Sequence, residues 1–371
     1  MLFGKMKRVG IDAHMLGDHS GGNETYYKNI LEAMVVPNDM EIYLFVKNVA
    51  DVSKLKDKFK IVYFGNHDAS YRNLIEIPYL CMKYKLDLFH AQYFIPFIRP
   101  CKFVVTIHDI CFEHYKDIFT KREYFRQKLL IPYAAKKSHL IFTVSDFSKN
   151  DISTCYKINP EKIVVTYNGV AEDFRQLSEE EINRESLSAN YGIRGDYILT
   201  VGNLQPRKNI VRLIKAFSLL EDEYESDIQL VIVGKKAWMY DEIFEEVGNS
   251  KNNVIFTDYV ESNDLVRLYN GAKCFVYPSI FEGFGIPPLE ALACGTPVAV
   301  SNTSSLPEVV GDNGVYFDPL DYKDIEKKIH EIINTEKKKK IFVDRFSWVK
   351  SSEIIMSYYT KLLVNVESTT R

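Results

Sequence analysis

The chain lacks any cysteine arrangement that would staple it or hold a metal. Its six cysteines, Cys81, Cys101, Cys111, Cys155, Cys274 and Cys294, are scattered, with no C-x-x-C pair and no companion histidine at ligand spacing. Neither a disulfide framework nor a zinc site is expected, and the thiols are expected to be reduced, as in a cytosolic compartment. No segment approaches the roughly 20 apolar residues of a membrane span, and the first residues, MLFGKMKRVGIDAHML, carry no stretch suited to a signal peptide. Any membrane contact is therefore expected to be peripheral. An excess of one charge is also absent: 47 Lys+Arg against 50 Asp+Glu leave a net charge of -3. That balance argues against a dedicated nucleic-acid binder, which needs a basic surface to neutralise phosphates, although it leaves room for a local basic face. No repeat of solenoid period occurs, and the one low-complexity run, EKKKK at 336–340, reads as a solvated helix face.

What is present is an ordinary globular composition, 46% hydrophobic and 26% charged, over 371 residues. That length exceeds one hydrophobic core, so two domains are expected. Short β-branched and aromatic runs recur at 7–13, 41–46, 86–91, 102–108, 139–145 and 162–168, each followed by a helical pattern. They are apolar on consecutive positions, which predicts parallel strands buried on both faces. A polar connector, LSEEEINRESLSANYGIR (177–194), follows, and the alternation restarts with strands at 197–203, 228–234, 253–260, 274–279, 297–301 and 314–319. Two intervening helices end at Gly271 and Gly295, read as C-caps. The final stretch, 346–363, places Trp348, Ile355, Tyr358, Tyr359 and Leu362 on one helical face that needs a surface to bury against. The expected fold is α/β: two Rossmann-like doubly wound domains, 1–185 and 186–345, facing a cleft at the carboxyl ends of their strands.

Two stretches of the second domain carry chemistry. In VGNLQPRKNIVRLI, Arg207 and Lys208 lie just beyond a strand end with Asn209 as a plausible helix N-cap, a site suited to a diphosphate; two solvated cations in a turn are the plain alternative. In SIFEGFGIPPLEALACGTPVAVSN, Glu282 sits in a turn whose Gly283 and Gly285 allow close approach of a ligand. Seven residues on, Glu290 falls in the first turn of a helix opened by Pro287 and Pro288, where the helix dipole alone would favour a carboxylate. Carboxylates suit vicinal hydroxyls and the Arg-Lys pair suits phosphates, which together describe a nucleotide-sugar.

At these residues the chain resembles the retaining glycosyltransferases of family 4, which have the two-Rossmann GT-B fold. The match lies in E-G-F-G-x-P-P-L-E-A-L-A-C-G-T-P-V and in P-R-K-N at 206–209, and it extends to the TIHDI strand end and the terminal FSW helix. The resemblance implies that the first domain binds the acceptor, that the second binds a nucleotide-sugar, and that helix 346–371 crosses back to the first. It further implies that Arg207 and Lys208 hold the donor diphosphate and that Glu290 binds the ribose hydroxyls. Glu282 would bind hydroxyls of the transferred sugar, with the Phe284 and Gly285 amides beside it. Asn203 stands where many relatives carry an arginine, which throws more of the diphosphate charge onto Arg207 and Lys208.

His108, at the end of the strand FVVTIHD, is by default a hydrogen-bonded structural residue; the resemblance places it beside the anomeric carbon, with Asp109 capping the next segment. Gly21 and Gly22, in GDHSGGNETYYKNIL, precede a helix and offer amides to the diphosphate or acceptor, or else form a flexible loop. No Asp-x-Asp pair occurs, so neither metal nor other cofactor is expected.

The segment 119–140 interleaves Lys121, Arg122, Arg126, Lys128, Lys136 and Lys137 with aromatic and aliphatic residues. It reads equally as a helix lying on an anionic membrane and as a packing helix with a solvated basic side. The stretch around HAQYFIPFIRP looks like mannosyltransferases of polysaccharide or O-antigen assembly, making GDP-mannose the favoured donor and a glycan or lipid-linked glycan the acceptor. The expected place is the cytoplasm or the inner membrane face. A UDP-sugar transferase, a nucleotide-sugar 2-epimerase and a catalytically silent scaffold subunit are the alternatives.

Overall fold

A computed structural model describes residues 5–18, 21–65, 68–223, 228–235, 253–335 and 345–364, with the side chains of 221–223 set aside. The run EKKKK and the chain beyond Val364 lie outside these residues. The chain divides into two compact units: one runs to Asn168 and resumes at Arg345, and the other spans Gly169–Asp344. The division at Asn168 differs from the expected one at 185. The reason is burial: Phe174 and Ile182, at 8% and 2% exposure, pack into the core of the second unit with Tyr197 and Tyr269.

The first unit is built on strands β1 (Lys7–Asp12), β2 (Met40–Val46), β3 (Lys60–Tyr63), β4 (Leu88–Gln92), β5 (Lys102–Thr106), β6 (Leu140–Thr143) and β7 (Ile163–Val165), in the order β3-β2-β1-β4-β5-β6-β7. Every pairing is parallel, with Val9 beside Ile42 and Phe89 beside Phe103. The sheet order reverses at β1 and β4, and ligands of such sheets bind beyond the carboxyl ends at that point. β3 was not among the expected strands: it is four residues long at the sheet edge, with both ends exposed.

The last helix, Trp348–Val364, belongs to this unit. Trp348, Ile355 and Tyr359 of the expected face are buried, and Tyr358 and Leu362 are half-buried. Tyr359 Oη lies 2.5 Å from His90 Nδ1, Ser351 Oγ donates to Tyr167 O at 2.6 Å, and Lys102 Nζ donates to Leu362 O at 2.7 Å.

The second unit carries β8 (Tyr197–Val201), β9 (Gln229–Val233), β10 (Val254–Asp258), β11 (Cys274–Tyr277), β12 (Val298–Ser301) and β13 (Val315–Phe317), in the parallel order β10-β9-β8-β11-β12-β13. An apolar layer lies on each face, one including Tyr197, Leu199 and Phe275, the other Ile198, Leu213 and Phe217. Both faces are covered because the strands are apolar at successive positions. The order reverses between β8 and β11, so the loops after those two strands line the ligand edge.

Gly271 and Gly295 serve different ends. Gly295 has φ +75° just past the helix Ile286–Ala293, a left-handed stop. Gly271 is instead the last residue of the helix Ser262–Gly271, and a Cβ there would stand 2.4 Å from Tyr197 Oη, which donates to Leu268 O at 2.8 Å. Close approach to a buried tyrosine, not a cap, requires this glycine. Gly271→Ala should therefore destabilise by about 1–3 kcal/mol, read as a lower urea midpoint with an unchanged m-value, and Tyr197→Phe in the same chain should recover part of the loss.

Candidate active site

The loops after β8 and β11 bring two cations onto one carboxylate. Pro206–Lys208 form a 3-10 turn after β8, and Glu282 lies in the turn after β11. Arg207 Nη1 donates to Glu282 Oε2 at 2.9 Å, and Lys208 Nζ donates to Glu282 Oε1 at 2.7 Å. Oε1 also accepts from Ser279 Oγ at 2.6 Å and from Tyr277 Oη at 3.1 Å, while Lys208 Nζ lies 2.5 Å from that same phenol oxygen. Burial alone would raise the Glu282 carboxyl, but Arg207 and Lys208 outweigh it and hold it at about 2. Two cations against one carboxylate leave a net positive charge at the switch point of the second sheet.

The backbone around this network is locked by small residues. Gly202 leaves room for the lysine stem: a Cβ there would sit 3.2 Å from Lys208 Cε. Ser305 Oγ donates to Glu282 O at 2.9 Å and to Phe284 O at 2.7 Å, and Glu282 N donates to Ser304 Oγ at 2.9 Å. Gly285 has φ +103° and a Cβ on it would meet Leu306 Cδ2 at 2.7 Å, so glycine is obligatory there; Gly283 beside it is buried. Asn209, expected as an N-cap, takes a left-handed conformation and donates its amide to Pro278 O at 3.0 Å and Pro319 O at 2.7 Å. It ties three strand-end loops together. Asn203 Oδ1 accepts from Lys235 N at 3.3 Å.

Glu290 does not stand in the first helical turn. The helix starts at Ile286, which makes Glu290 its fifth residue, and there is no acid in the first turn. A helix-dipole role is thereby removed. The side chain is buried against the helix Ser262–Gly271 instead, where Tyr269 Oη donates to its Oε2 at 2.9 Å. Burial raises its carboxyl to about 7, against the lowering effect of Tyr269.

The remaining expected residues lie in the first unit. His108 is 6% exposed, edge-on to Tyr26 with centroids 4.8 Å apart, and its Nε2 is 3.4 Å from Gln92 Nε2. Burial lowers it to about 3, so it is neutral. Tyr93, which also packs on it at 5.5 Å, holds φ +56° in the turn after β4. Asp109 Oδ1 accepts from Cys111 N at 3.0 Å, but the cap position of the short helix Cys111–His114 belongs to Ile110, so Asp109 stands one residue ahead of the expected cap. Gly21 is the N-cap of the helix Gly22–Ala33 with φ +76°, whereas a Cβ on Gly22 would meet nothing within 4 Å, so Gly21 has the conformational need.

The structure adds Tyr269, Tyr277, Ser279 and Gln92 to the two sites. Tyr277 and Ser279 stood at the end of an expected strand and could have been found from that place. Tyr269 and Gln92 sit inside regular elements with no distinguishing pattern. None of the six cysteines is in a disulfide. His114, Asp151 and Cys155 nonetheless gather, with potential ligand atoms within 4.8 Å, a cluster that cysteine spacing alone does not reveal.

Two family models match the chain: Glycosyltransferase Family 4 over residues 20–174 and Glycosyl transferases group 1 over 183–346. The O-antigen chain mannosyltransferase B of Escherichia coli is 35% identical over 296 residues, covering 76% of this chain and 75% of that protein. The chain belongs to the glycosyltransferases and resembles mannosyltransferases. The serotype-specific mannosyltransferase WbdA of Escherichia coli is 30% identical over 73% of this glycosyltransferase, which spans 35% of WbdA. Anabaena Alr3699/HepE, solved in complex with UDP-glucose, superposes with a TM-score of 0.74 at 18% identity, over 95% of this chain and 99% of that one, a likeness of GT-B fold.

Glu290 makes the stability of this glycosyltransferase pH-dependent. The unfolded chain releases the proton near 4.5, while the folded one keeps it up to about 7, so stability falls as pH rises through that window. Glu290→Gln should remove the slope: its gain over wild type should be near zero at pH 4.5 and reach about 1–3 kcal/mol by pH 8, measured by urea unfolding across that range.

Proposed function

We propose that this protein is a retaining hexosyltransferase that moves mannose from GDP-mannose to a glycan or lipid-linked glycan acceptor. The observation that carries the proposal is the buried Arg207–Lys208–Glu282 network at the switch point of the second sheet. The 35% identity to an O-antigen mannosyltransferase favours mannose over other hexoses.

The chemistry follows from charge. Retaining transfer builds positive charge on the anomeric carbon and negative charge on the departing diphosphate, so fixed cations at the leaving group act where the transition state needs them. Arg207 and Lys208 take that role, in the position a divalent cation would otherwise fill. An arriving diphosphate competes with Glu282 for both cations, which frees a carboxylate oxygen for hydroxyls of the transferred sugar. Glu290 receives the ribose hydroxyls, with Gly283, Phe284, Gly285 and Asn203 lining the donor. In the first unit, which receives the acceptor, His108 is neutral and the Gly21–Gly22 turn offers amides to an anion.

The helix Lys121–Lys137 supports work at a membrane face. It begins with a Thr120–Glu123 capping box and buries Ile131, Ala134 and Ala135, while Phe125 and Leu129 stand 67% and 70% exposed among exposed Lys121, Arg122 and Arg126. Among the described residues no helix is long and apolar enough to cross a membrane. A basic, aromatic exposed face suits anionic headgroups on the cytoplasmic side.

Calorimetry with GDP, UDP and ADP should show GDP binding tightest; preference for UDP would keep the transferase class and change the donor, and no nucleotide binding would leave a scaffold. Lys208→Ala should lower kcat by about 10²–10³, at some cost in stability because it strips one partner from buried Glu282; near-normal turnover of a folded variant would overturn the assignment. EDTA should leave the rate unchanged, and the product should keep the anomeric configuration of the donor by NMR. Release of free sugar nucleotide epimer without acceptor would mark an epimerase. Phe125→Ser/Leu129→Ser should abolish flotation with anionic liposomes while leaving GDP binding intact.

A further inference from the structure

The first unit contains a buried cation that the roles assigned above do not use. Arg72 opens a π-helical turn, Arg72–Glu76, closed by Ile77 N donating to Arg72 O. Such turns cost helix stability and are found frequently at functional sites. Arg72 is 4% exposed, yet its Nε has no hydrogen-bond partner among the described residues. A guanidinium buried without full hydrogen bonding is costly, and the face of Phe64, whose ring centre is 5.5 Å from the guanidinium carbon, offsets only part of that.

Its location is equally pointed. Phe64 follows β3 and donates its N–H to Val46 O at the end of β2, so Arg72 stands over the carboxyl edge of the sheet. Asp12 ends β1, where the sheet order reverses. Burial works to raise its carboxyl, but His14 and then the charge of Arg72 outweigh that and hold it below its usual range. Asp12 Oδ1 is engaged by His14, at 2.8 Å from Nδ1 and 3.2 Å from the backbone N. Glu76, on the same turn, commits its Oε1 to Gly65 N at 2.5 Å, while its buried Oε2 has no partner among the described residues. The field of Asp12 explains why a charge can be held here; it leaves the Nε–H of the guanidinium without an acceptor.

We propose that Arg72 anchors a phosphate oxyanion carried by the acceptor. The planar guanidinium fork matches two phosphate oxygens. The inference rests on the proposal that the first unit receives the acceptor. The shared chemistry, a phosphate, could also arrive with the donor, so the test separates the two sources.

Binding of three probes would be measured by calorimetry on the full chain: propyl-diphosphate-linked mannose, the neutral propyl mannoside, and GDP. Wild type should bind the diphosphate-linked probe more tightly than the neutral one. Arg72→Gln should weaken the diphosphate-linked probe tenfold to a hundredfold while leaving the neutral mannoside and GDP unchanged, and Arg72→Lys should retain part of the affinity. In wild type, the Nε–H resonance of Arg72 should shift with the diphosphate-linked probe and stay still with the neutral one, a readout that survives if Arg72→Gln fails to fold. Equal binding of the two mannose probes by wild type, or equal loss of both in the variant, would overturn the proposal; so would loss confined to GDP, which would give the phosphate to the donor. None of these arms requires transfer to occur, so a protein that fails to bind GDP would sink the donor assignment alone.

Discussion

A single buried carboxylate with two cations on it governs the second unit. Glu282, Arg207 and Lys208 are each largely withdrawn from water, with side-chain exposures of 8%, 20% and 11%. Removing one member would leave an uncompensated charge in a low-dielectric place. The loops after β8 and β11 must therefore meet in one register, and the local sequence is tuned to let them: glycine at 202 for the lysine stem, serines at 279, 304 and 305 to satisfy the carboxylate and its backbone, and Asn209 to tie in Pro319 after β13. Charge pairing sets the geometry, and hydrogen bonds to small side chains keep it.

The two units differ in how fully their polar groups are satisfied. Every buried side-chain polar atom without a partner among the described residues, on Tyr27, Arg72, Glu76, Gln92, Thr143, Asn168 and Trp348, belongs to the first unit. In the second unit Glu282 and its two cations satisfy one another. A preformed ionic network suits a ligand whose phosphates are constant from turnover to turnover, whereas open polar valences suit a ligand that brings its own hydroxyls.

Much of this was legible in the sequence because parallel strands buried on both faces announce themselves as consecutive apolar runs, and twelve such runs correspond to strands. β3 escaped although Ile61–Phe64, IVYF, is such a run: it is a four-residue strand at the sheet edge with exposed ends, not one buried on both faces. The convergence of Arg207, Lys208 and Glu282 could be read because strand ends of one sheet share an edge. The depth of Glu290 could not: two prolines mark where a helix begins only to within a residue or two, and Ile286 ahead of them shifted the count. Gly271 looked like a stop and is a contact, since periodicity cannot show which tyrosine lies across from a glycine. Arg72 gave no signal at all, because burial of a lone arginine depends on where Phe64 and Asp12 are brought by the sheet.

The return of the last helix to the first unit makes the second unit an insertion. The ribosome delivers β1 through β7 before the second unit, but His90 and Tyr167 wait for Tyr359 and Ser351, which are translated only after it. The contiguous segment Gly169–Asp344 has all of its own strands before then. The half of the molecule that is translated later is thus the one that can finish maturing first, while a nascent chain that stops short of the last helix leaves bare the surface around His90 and Tyr167.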